Sequence, residues 1–498
     1  MREVEFGLED LEHFRRFSHD ANPLHIDPEY ARRTPFGQPV VYGMLGALAT
    51  LGELARTPFR LRSLACAFPA PLFPGVRYHV TSTPRDDRTV LRLMRGTALK
   101  AEVTAQIESR TDAHCDGPAP DWLPSTAAEK PDPSTLAGTE RRGTYVADFT
   151  ALHDSGQWLG LSQRTLPSAQ LAALAWVSWY CGMIVPGRQS LVSKVRFEFE
   201  EVDAPTSGLE WTARVGKWDP RFGALSISAT LASAGARVAE VTIDAFSRPQ
   251  PVELSLDAIA DAVGRSARLR GCVALVTGGS RGLGAHLSSA LALHGATVLV
   301  NFRSGREEAE ALAGALRSQG GSVELVQGDI ADEVDCARIA DTIGRRHGGL
   351  DLLVSNASPP ILPAEPGELT EDEVAEFIDR SLAVGAWPAR QLLPLLRAGR
   401  GTVAFISSSY VDQPPRRFAH YVAAKAAAER YLSSIVAEAP ELTLLLLRPP
   451  RLHTDQTNVT FDLEPHLPPS RVAARLIEAL GAPRGGGVHV LSDFTGSR

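Results

Sequence analysis

The stretch "CVALVTGGSRGLGAHLSSALALHGATVLVNFRS", Cys272–Ser304, decides the fold of the C-terminal half of the chain. A short apolar run, a glycine-rich turn, an apolar segment of helix length and a second apolar run succeed one another. That is the strand, turn, helix, strand order of a parallel βαβ unit. Strands covered on both faces read as unbroken Val/Leu runs, as "VALV" and "TVLV" do. The turn sets Gly278, Gly282 and Gly284 in the spacing Gly-x-x-x-Gly-x-Gly, where backbone N–H groups at a helix start can face a pyrophosphate. The reading assigns residues 271–498 to an α/β doubly wound parallel sheet that binds a dinucleotide.

Upstream of it the chain repeats itself. At 498 residues it exceeds one hydrophobic core, and length alone suggests about three domains. A Pro/Ala/Ser/Thr-rich stretch marks 111–140 as a linker, and a softer break after "FSRPQP" marks 251–270 as another. The two segments between, 1–110 and 141–250, look alike. In the first, "GMLGALATLGELA" precedes three strand-like runs, "VRYHVTST", "TVLRLMRG" and "LKAEVTAQIES". In the second, "PSAQLAALAWVSWYCGMIV" precedes "LEWTARVG", "FGALSISATLA" and "ARVAEVTIDAF". Each half reads as one apolar helix wrapped by an antiparallel meander, with partial alternation along the strands. Trp176 and Trp179, at helical spacing, belong to the core or to the seam between halves.

Composition narrows the function. A net charge of -7, a pI near 6.0 and the absence of any Lys/Arg-rich run argue against nucleic acid. Five scattered cysteines with no Cys-x-x-Cys pair suggest neither a disulfide frame nor a metal site. The N-terminus "MREVEFGLED" lacks an apolar core, and the longest apolar run, "LAALAWVSWYCGMIV", is shorter than a membrane span. The expectation is a cytoplasmic protein without a membrane anchor.

The first segment opens with "FSHDANPLHIDPEYA", Phe17–Ala31, in which Asp20 and His25 flank an Asn22-Pro23 turn. Asn-Pro disfavours mid-helix, so this is a loop before a helix near Asp27. The stretch resembles the signature of the MaoC-like, (R)-specific enoyl hydratase/dehydratase family, Asp-x-Asn-Pro-aliphatic-His. Further on, "PFGQPVVYGML" resembles the family's next landmark, with Tyr42 in place of its histidine. The resemblance implies an α+β double hot-dog fold over 1–250 with one working site. It assigns Asp20 and His25 as the pair that removes an α-hydrogen and protonates a departing hydroxyl. Asn22 would brace the loop, and N–H groups near Gly43 would receive the thioester oxygen. The plainer reading makes Asp20 and Asn22 helix caps beside a packed His25. The second half has no such motif. Its nearest imidazole and acid before the helix are His153 and Asp154.

Beyond the glycine-rich turn, "GDI" (Asp329), "SNAS" (Asn356), "FISSSY" (Ser408) and "HYVAAK" come in order. Tyr421 and Lys425 stand four apart on one helix face, thirteen residues after Ser408. The series resembles the short-chain dehydrogenase/reductase family. By that resemblance Tyr421 protonates a carbonyl oxygen, Lys425 stabilises the phenolate and Ser408 holds the substrate oxygen. Gly278, Ser280, Arg281, Gly282, Gly284, Asp329, Asn356 and Thr454 would hold the cofactor. At the end of the second strand "NFRS" offers Phe302, Arg303 and Ser304 rather than a carboxylate. Arg303 with Arg281 suits a 2'-phosphate, hence NADPH. Two departures stand out: Ser381 and Leu382 occupy the place of the family's relay asparagine, and Pro449-Pro450 replaces Pro-Gly.

Joined, the halves describe a bifunctional enzyme that reduces 3-oxoacyl thioesters and dehydrates the 3-hydroxyacyl products to 2-enoyl thioesters, in fatty-acid or polyketide-type biosynthesis. The acyl group would ride on an acyl carrier protein or coenzyme A, and the reductase domain implies a homo-oligomer. Two other readings stay open: a hydratase/dehydrogenase of β-oxidation, and a reductase whose hot-dog pair only binds.

Overall fold

The computed structural model describes residues 2–110, 124, 127–154, 160–201, 208–459, 466–482 and 486–494. The chain forms two compact units, the first of Met1–Gln250 with Val459–Asp462 and the second of Pro251–Asn458 with Leu463–Arg498.

In the first unit ten strands form one antiparallel sheet. They are β1 (Arg2–Glu5), β2 (Phe59–Ala67), β3 (Arg77–Arg85), β4 (Arg88–Arg95), β5 (Ala98–Ser109), β6 (Glu140–Val146), β7 (Ser190–Phe199), β8 (Gly208–Asp219), β9 (Ala224–Ser233) and β10 (Ala236–Ser247). Their order is β1-β3-β4-β5-β2-β7-β10-β9-β8-β6. Raising each label of the first half by five yields the second half read backwards, so the sheet is a two-fold internal repeat. The halves join where β2 pairs antiparallel with β7, Leu64 opposite Phe197 and Cys66 opposite Val195. The repeat is legible in the sequence; β1 and β6, short and charged, are not.

Two helices lie in the curl of this sheet, one from each half. A helix α1 (Leu8–Ser18) precedes them; the first is α2 (Gly43–Leu51) and the second α3 (Ser168–Trp179). Met44 to Leu51 and every residue of α3 are buried, and a helix apolar all round is stable only when enclosed. The strands of the second half alternate more cleanly than expected. In β8, Leu209, Trp211, Ala213 and Val215 face inward while Glu210, Thr212 and Arg214 face water. Gln170 of α3 spans the halves: its amide accepts from the Leu61 N–H and donates to the Leu61 carbonyl, both at 2.8 Å. That is where the β2–β5 register slips and leaves backbone groups without a ladder partner.

The two expected linkers fare differently. Within 111–140, residues 111–123, 125 and 126 lie outside the described residues. The rest is tied down: the Glu129 N–H donates to the Met183 carbonyl at 2.8 Å, and Gly138 N–H to Val215 at 2.9 Å. Residues 251–270 are not a free linker, since they contain a helix, Leu256–Val263, capped by the Ser255 hydroxyl. Its apolar stripe packs Leu256 and Val263 against the core of the second unit, with Ile259 only 1% exposed.

The second unit is a seven-stranded parallel sheet: β11 (Val273–Val276), β12 (Thr297–Phe302), β13 (Ser322–Gln327), β14 (Leu352–Ser355), β15 (Thr402–Ile406), β16 (Thr443–Leu447) and β17 (Gly487–Leu491). The order β13-β12-β11-β14-β15-β16-β17 reverses direction between β11 and β14. Helices cover both faces over separate cores, among them α4 (Gly282–Leu293) and α5 (Ala419–Ala437). In such sheets the ligand crevice opens at the strand carboxyl ends beside the reversal. Among the described residues no helix is long and apolar enough to cross a membrane.

Trp176 sits at the hub of the first unit, fully buried against the rings of Tyr180 (4.9 Å) and Trp211 (6.0 Å). This is the core role expected for it. Trp176→Ala should cost the first unit about 3–5 kcal/mol. In scanning calorimetry the first unit's transition should fall while the second unit's holds; an unmoved first transition would contradict this packing.

Candidate active sites

The loop His19–Asp27 of the first unit is held by hydrogen bonds from both halves. The Asn22 Oδ1 accepts from the Leu24 N–H and so caps the one-turn helix Pro23–Ile26. Its Nδ2 donates across to the carbonyls of Gly182 (3.0 Å) and Gly187 (3.1 Å) in the second half. Asn22 is therefore both a cap and a brace.

Asp20 is 2% exposed. Its Oδ1 accepts from the Asn22 N–H at 3.0 Å and its Oδ2 from the Ser178 hydroxyl of α3 at 2.7 Å. Beyond Trp179 the helix widens into a π-helical turn, Tyr180–Ile184, a deviation common at functional sites. Here Gly182 makes room: a Cβ on it would stand 2.2 Å from Asp20 Oδ1. Burial drives the Asp20 carboxyl up to about 7, against the Ser178 and Asn22 hydrogen bonds that favour the charged form.

His25 is set the opposite way. Its Nδ1 lies 2.5 Å from the Val40 carbonyl, which requires the proton there and leaves Nε2 as the bare lone pair. Burial and, more weakly, the charge of Arg248 pull the imidazole down to about 4, so it is neutral near pH 7. Tyr42 links the two groups: its ring stacks on His25 at 3.8 Å, and its hydroxyl donates to the Asp20 carbonyl at 2.8 Å. Tyr42 also precedes Gly43, the first residue of α2, whose opening N–H groups have no partner within the helix. A Cβ on Gly43 would sit 3.5 Å from the Phe68 ring. The side chains of His153 and Asp154 lie outside the described residues.

In the second unit the glycine-rich turn is shaped by close approach. Gly278 and Gly282 have φ of +60° and +51°, conformations that disfavour other residues. A Cβ on Gly284 would meet the Gly278 carbonyl at 2.1 Å, and Asn356 Nδ2 also donates to that carbonyl at 3.2 Å. Among the described residues only the Thr454 Cγ2 comes within 4.0 Å of a Cβ built on Gly282, which places Thr454 beside the start of α4. These features fit a pyrophosphate at the helix start. Asn301, which no sequence motif marks, ties the turn to the neighbouring loop: its Nδ2 donates to Val326 and Gly328, and its backbone carbonyl accepts from Gly279. Ser280 is buried, while Arg281 and Ser304 are exposed.

Arg303 and Asp329, expected on separate parts of a cofactor, pair with each other at 3.3 Å. Both are partly exposed, so the pair is weak. Arg306 stands beside them, bonded to Gln327 and stacked 6.0 Å over Phe302, a cation absent from the sequence expectation.

The Ser408 hydroxyl, which accepts from the Tyr410 N–H at 3.2 Å, lies near enough to the Tyr421 phenol to favour its charged form. Burial raises that phenol to about 12, and the Ser408 contact is what opposes it. Lys425 has another anchor: its ammonium donates to the Ile406 carbonyl at 2.8 Å, with the Tyr421 ring 5.8 Å away. Burial lowers Lys425 to about 8, and the charge of Glu429 holds it up. Glu429, 2% exposed, is fixed by Ser407 at 2.5 Å and by a two-pronged contact with Arg448. Ser381, at the relay position, spends its hydroxyl on the Phe377 carbonyl at 2.7 Å.

The family model "short chain dehydrogenase" matches residues 272–461, and "MaoC like domain" matches residues 2–106. An uncharacterized oxidoreductase of Methylorubrum extorquens is 33% identical over 145 residues, covering 29% of this chain and 58% of that protein. A short-chain type dehydrogenase/reductase of Picea abies is 30% identical over 197 residues, 38% of this chain and 73% of that protein. The versicolorin reductase of Emericella nidulans is 28% identical over 190 residues, 38% of this chain and 72% of that protein. The chain thus spans little more than half the length of the first of these relatives.

Removing the Ser178 hydroxyl takes away a bond that favours the Asp20 carboxylate. Ser178→Ala should raise the Asp20 pKa by about one unit above its native value. Carbon-13 NMR titration of labelled aspartate reads this directly, and an unchanged midpoint would show that Ser178 does not act on Asp20.

Proposed function

The chain belongs to the short-chain dehydrogenase/reductase family, with a MaoC-like dehydratase domain fused ahead of it, and from that premise we propose that it reduces 3-oxoacyl thioesters with NADPH and dehydrates the resulting 3-hydroxyacyl thioesters to 2-enoyl thioesters. The observation that carries the reading is the pair on one loop bridged by Tyr42, a buried Asp20 carboxyl held by Ser178 and an imidazole whose Nδ1 is taken by Val40 so that Nε2 is bare; burial raises the first to about 7 and lowers the second to about 4. An elimination needs an acid that holds its proton and a base that has lost it at the same pH.

A nicotinamide cofactor on the glycine-rich turn supplies the hydride when bound. Tyr421 gives its phenolic proton to the substrate oxygen as the carbonyl becomes an alcohol, and Ser408 keeps the phenol aligned. Lys425, at about 8 and beside Glu429, is the cation positioned to favour the phenolate once the proton has gone. Support for NADPH over NADH lies just past the end of β12: Arg303 and Arg306 stand where an NAD enzyme presents a carboxylate, and a 2'-phosphate can draw Arg303 from its weak pair with Asp329.

In the first unit, His25 Nε2 takes the α-hydrogen, N–H groups at the start of α2 receive the enolate oxygen, and Asp20 gives its proton to the β-hydroxyl, which leaves as water. Asp20 then holds the charge and His25 the proton; transfer between them restores the neutral pair.

Supplied with a 3-oxoacyl thioester, Tyr421→Phe should lose NADPH oxidation at least a hundredfold yet still dehydrate an added 3-hydroxyacyl thioester. Asp20→Asn should do the reverse and stall at the 3-hydroxyacyl stage, as read by mass spectrometry. Release of enoyl product by Asp20→Asn at the native rate would reduce the first unit to a binding module. Separately, Arg303→Ala should raise KM for NADPH about tenfold or more with little change for NADH, and equal effects on both would refute the cofactor assignment.

A further inference from the structure

Tyr30 lies in the one-turn helix Pro28–Ala31, five residues beyond His25, with two guanidinium groups near its ring. The Cζ atoms of Arg188 and Arg248 stand 4.8 and 5.6 Å from its ring centroid. Its hydroxyl donates to the Arg188 carbonyl at 3.0 Å and accepts from Arg248 Nη2 at 3.2 Å. Arg248, only 6% exposed, also donates to the Arg188 carbonyl at 2.9 Å. Among the described residues the buried Nε atoms of both arginines have no hydrogen-bond partner. Among the described residues neither guanidinium meets a carboxylate.

Two cations side by side and partly stripped of water are unfavourable until an anion joins them. The acids nearby are committed elsewhere. Asp27 caps the N–H groups of Glu29 and Tyr30, Glu29 pairs with Arg32, and Glu129 pairs with Arg141. The site is bound to the reactive loop through the backbone, since Asn22 holds the Gly187 carbonyl one residue before Arg188. It also lies close enough for the Arg248 charge to act on His25.

We propose that Arg188 and Arg248, framed by Tyr30, bind the phosphate ester of the substrate's pantetheine arm. Planar guanidinium forks suit phosphate oxygens, and the second half of the repeat would thereby hold the carrier end of a thioester whose acyl end reaches Asp20 and His25. The inference rests on the reading of that loop as a thioester dehydratase. The phosphate is common to a carrier protein's prosthetic arm and to coenzyme A.

The test titrates 4'-phosphopantetheine, coenzyme A and unphosphorylated pantetheine into the full chain by calorimetry, with excess NADPH keeping the glycine-rich turn occupied. Both phosphorylated ligands should bind about tenfold or more tightly than pantetheine. Arg188→Gln should close that gap and Arg188→Lys restore part of it. Among the described residues the Arg188 guanidinium makes no hydrogen bond, so these variants give up only its contact with the Tyr30 ring, which Arg188→Lys keeps as a cation. Parity between the phosphorylated ligands marks a carrier protein as the source, and tighter coenzyme A marks the free thioester. Equal binding of all three, or a gap that survives Arg188→Gln, overturns the site. Binding is read without turnover, so a chain that binds the phosphate yet fails to dehydrate would refute the dehydratase reading and leave this one standing.

Discussion

The first unit's chemistry depends on a carboxyl group lying where residue 182 has no side chain. Asp20 rests against Gly182 at a distance no Cβ could share, and the enclosure that results is what strips the carboxyl of water. Ser178 one turn earlier, the π-helical turn and the Asn22 bonds all serve to hold that contact. A site that looks in sequence like the property of one loop is therefore built from a loop of the first half and a helix of the second.

Folding moves a proton within this site. In an unfolded chain between about pH 4 and 6.5, Asp20 would be charged and His25 protonated; in the fold the carboxyl near 7 keeps the proton and the imidazole near 4 lacks it. The sign of each contribution is then fixed. A carboxyl raised on folding makes stability fall as pH rises between about 4 and 7, and an imidazole lowered on folding makes it rise between about 4 and 6.5. Over the shared window the two slopes oppose each other, so the inversion that readies an acid and a base leaves little net pH dependence of stability.

What the sequence reveals and what it hides divide along chain distance. The βαβ opening, the internal repeat, the Asn22 loop and the Ser408/Tyr421 spacing are local patterns and can be read directly. Ser178 and Gly182 cannot, because nothing in "WVSWYCGMIV" marks it as the wall of a site some 160 residues upstream. The same holds for Arg188 and Arg248, sixty residues apart and brought together around Tyr30. Local reading also misses contacts that a partner decides: Arg303 pairs with Asp329, and Lys425 is anchored on the Ile406 carbonyl with the Tyr421 ring 5.8 Å away. The amphipathic segment Leu256–Val263 carries a helical stripe and still reads as linker, since a short stripe does not say which core it covers.

The sheet's two-fold repeat has a consequence for capacity. Where the first half lays Asp20 against the end of α3, the second half brings Gly160 to the end of α2, where a Cβ on it would stand 3.3 Å from the Gly52 carbonyl. The second half has no Asn-Pro-x-His loop in its sequence, so on the proposed reading it adds no second eliminating pair. On the proposed reading every polypeptide carries one eliminating centre and one reducing centre, in a ratio that no change in expression or assembly can alter. Balance between the two steps then has to be written into their individual rates, and whichever centre is slower sets which acyl intermediate accumulates.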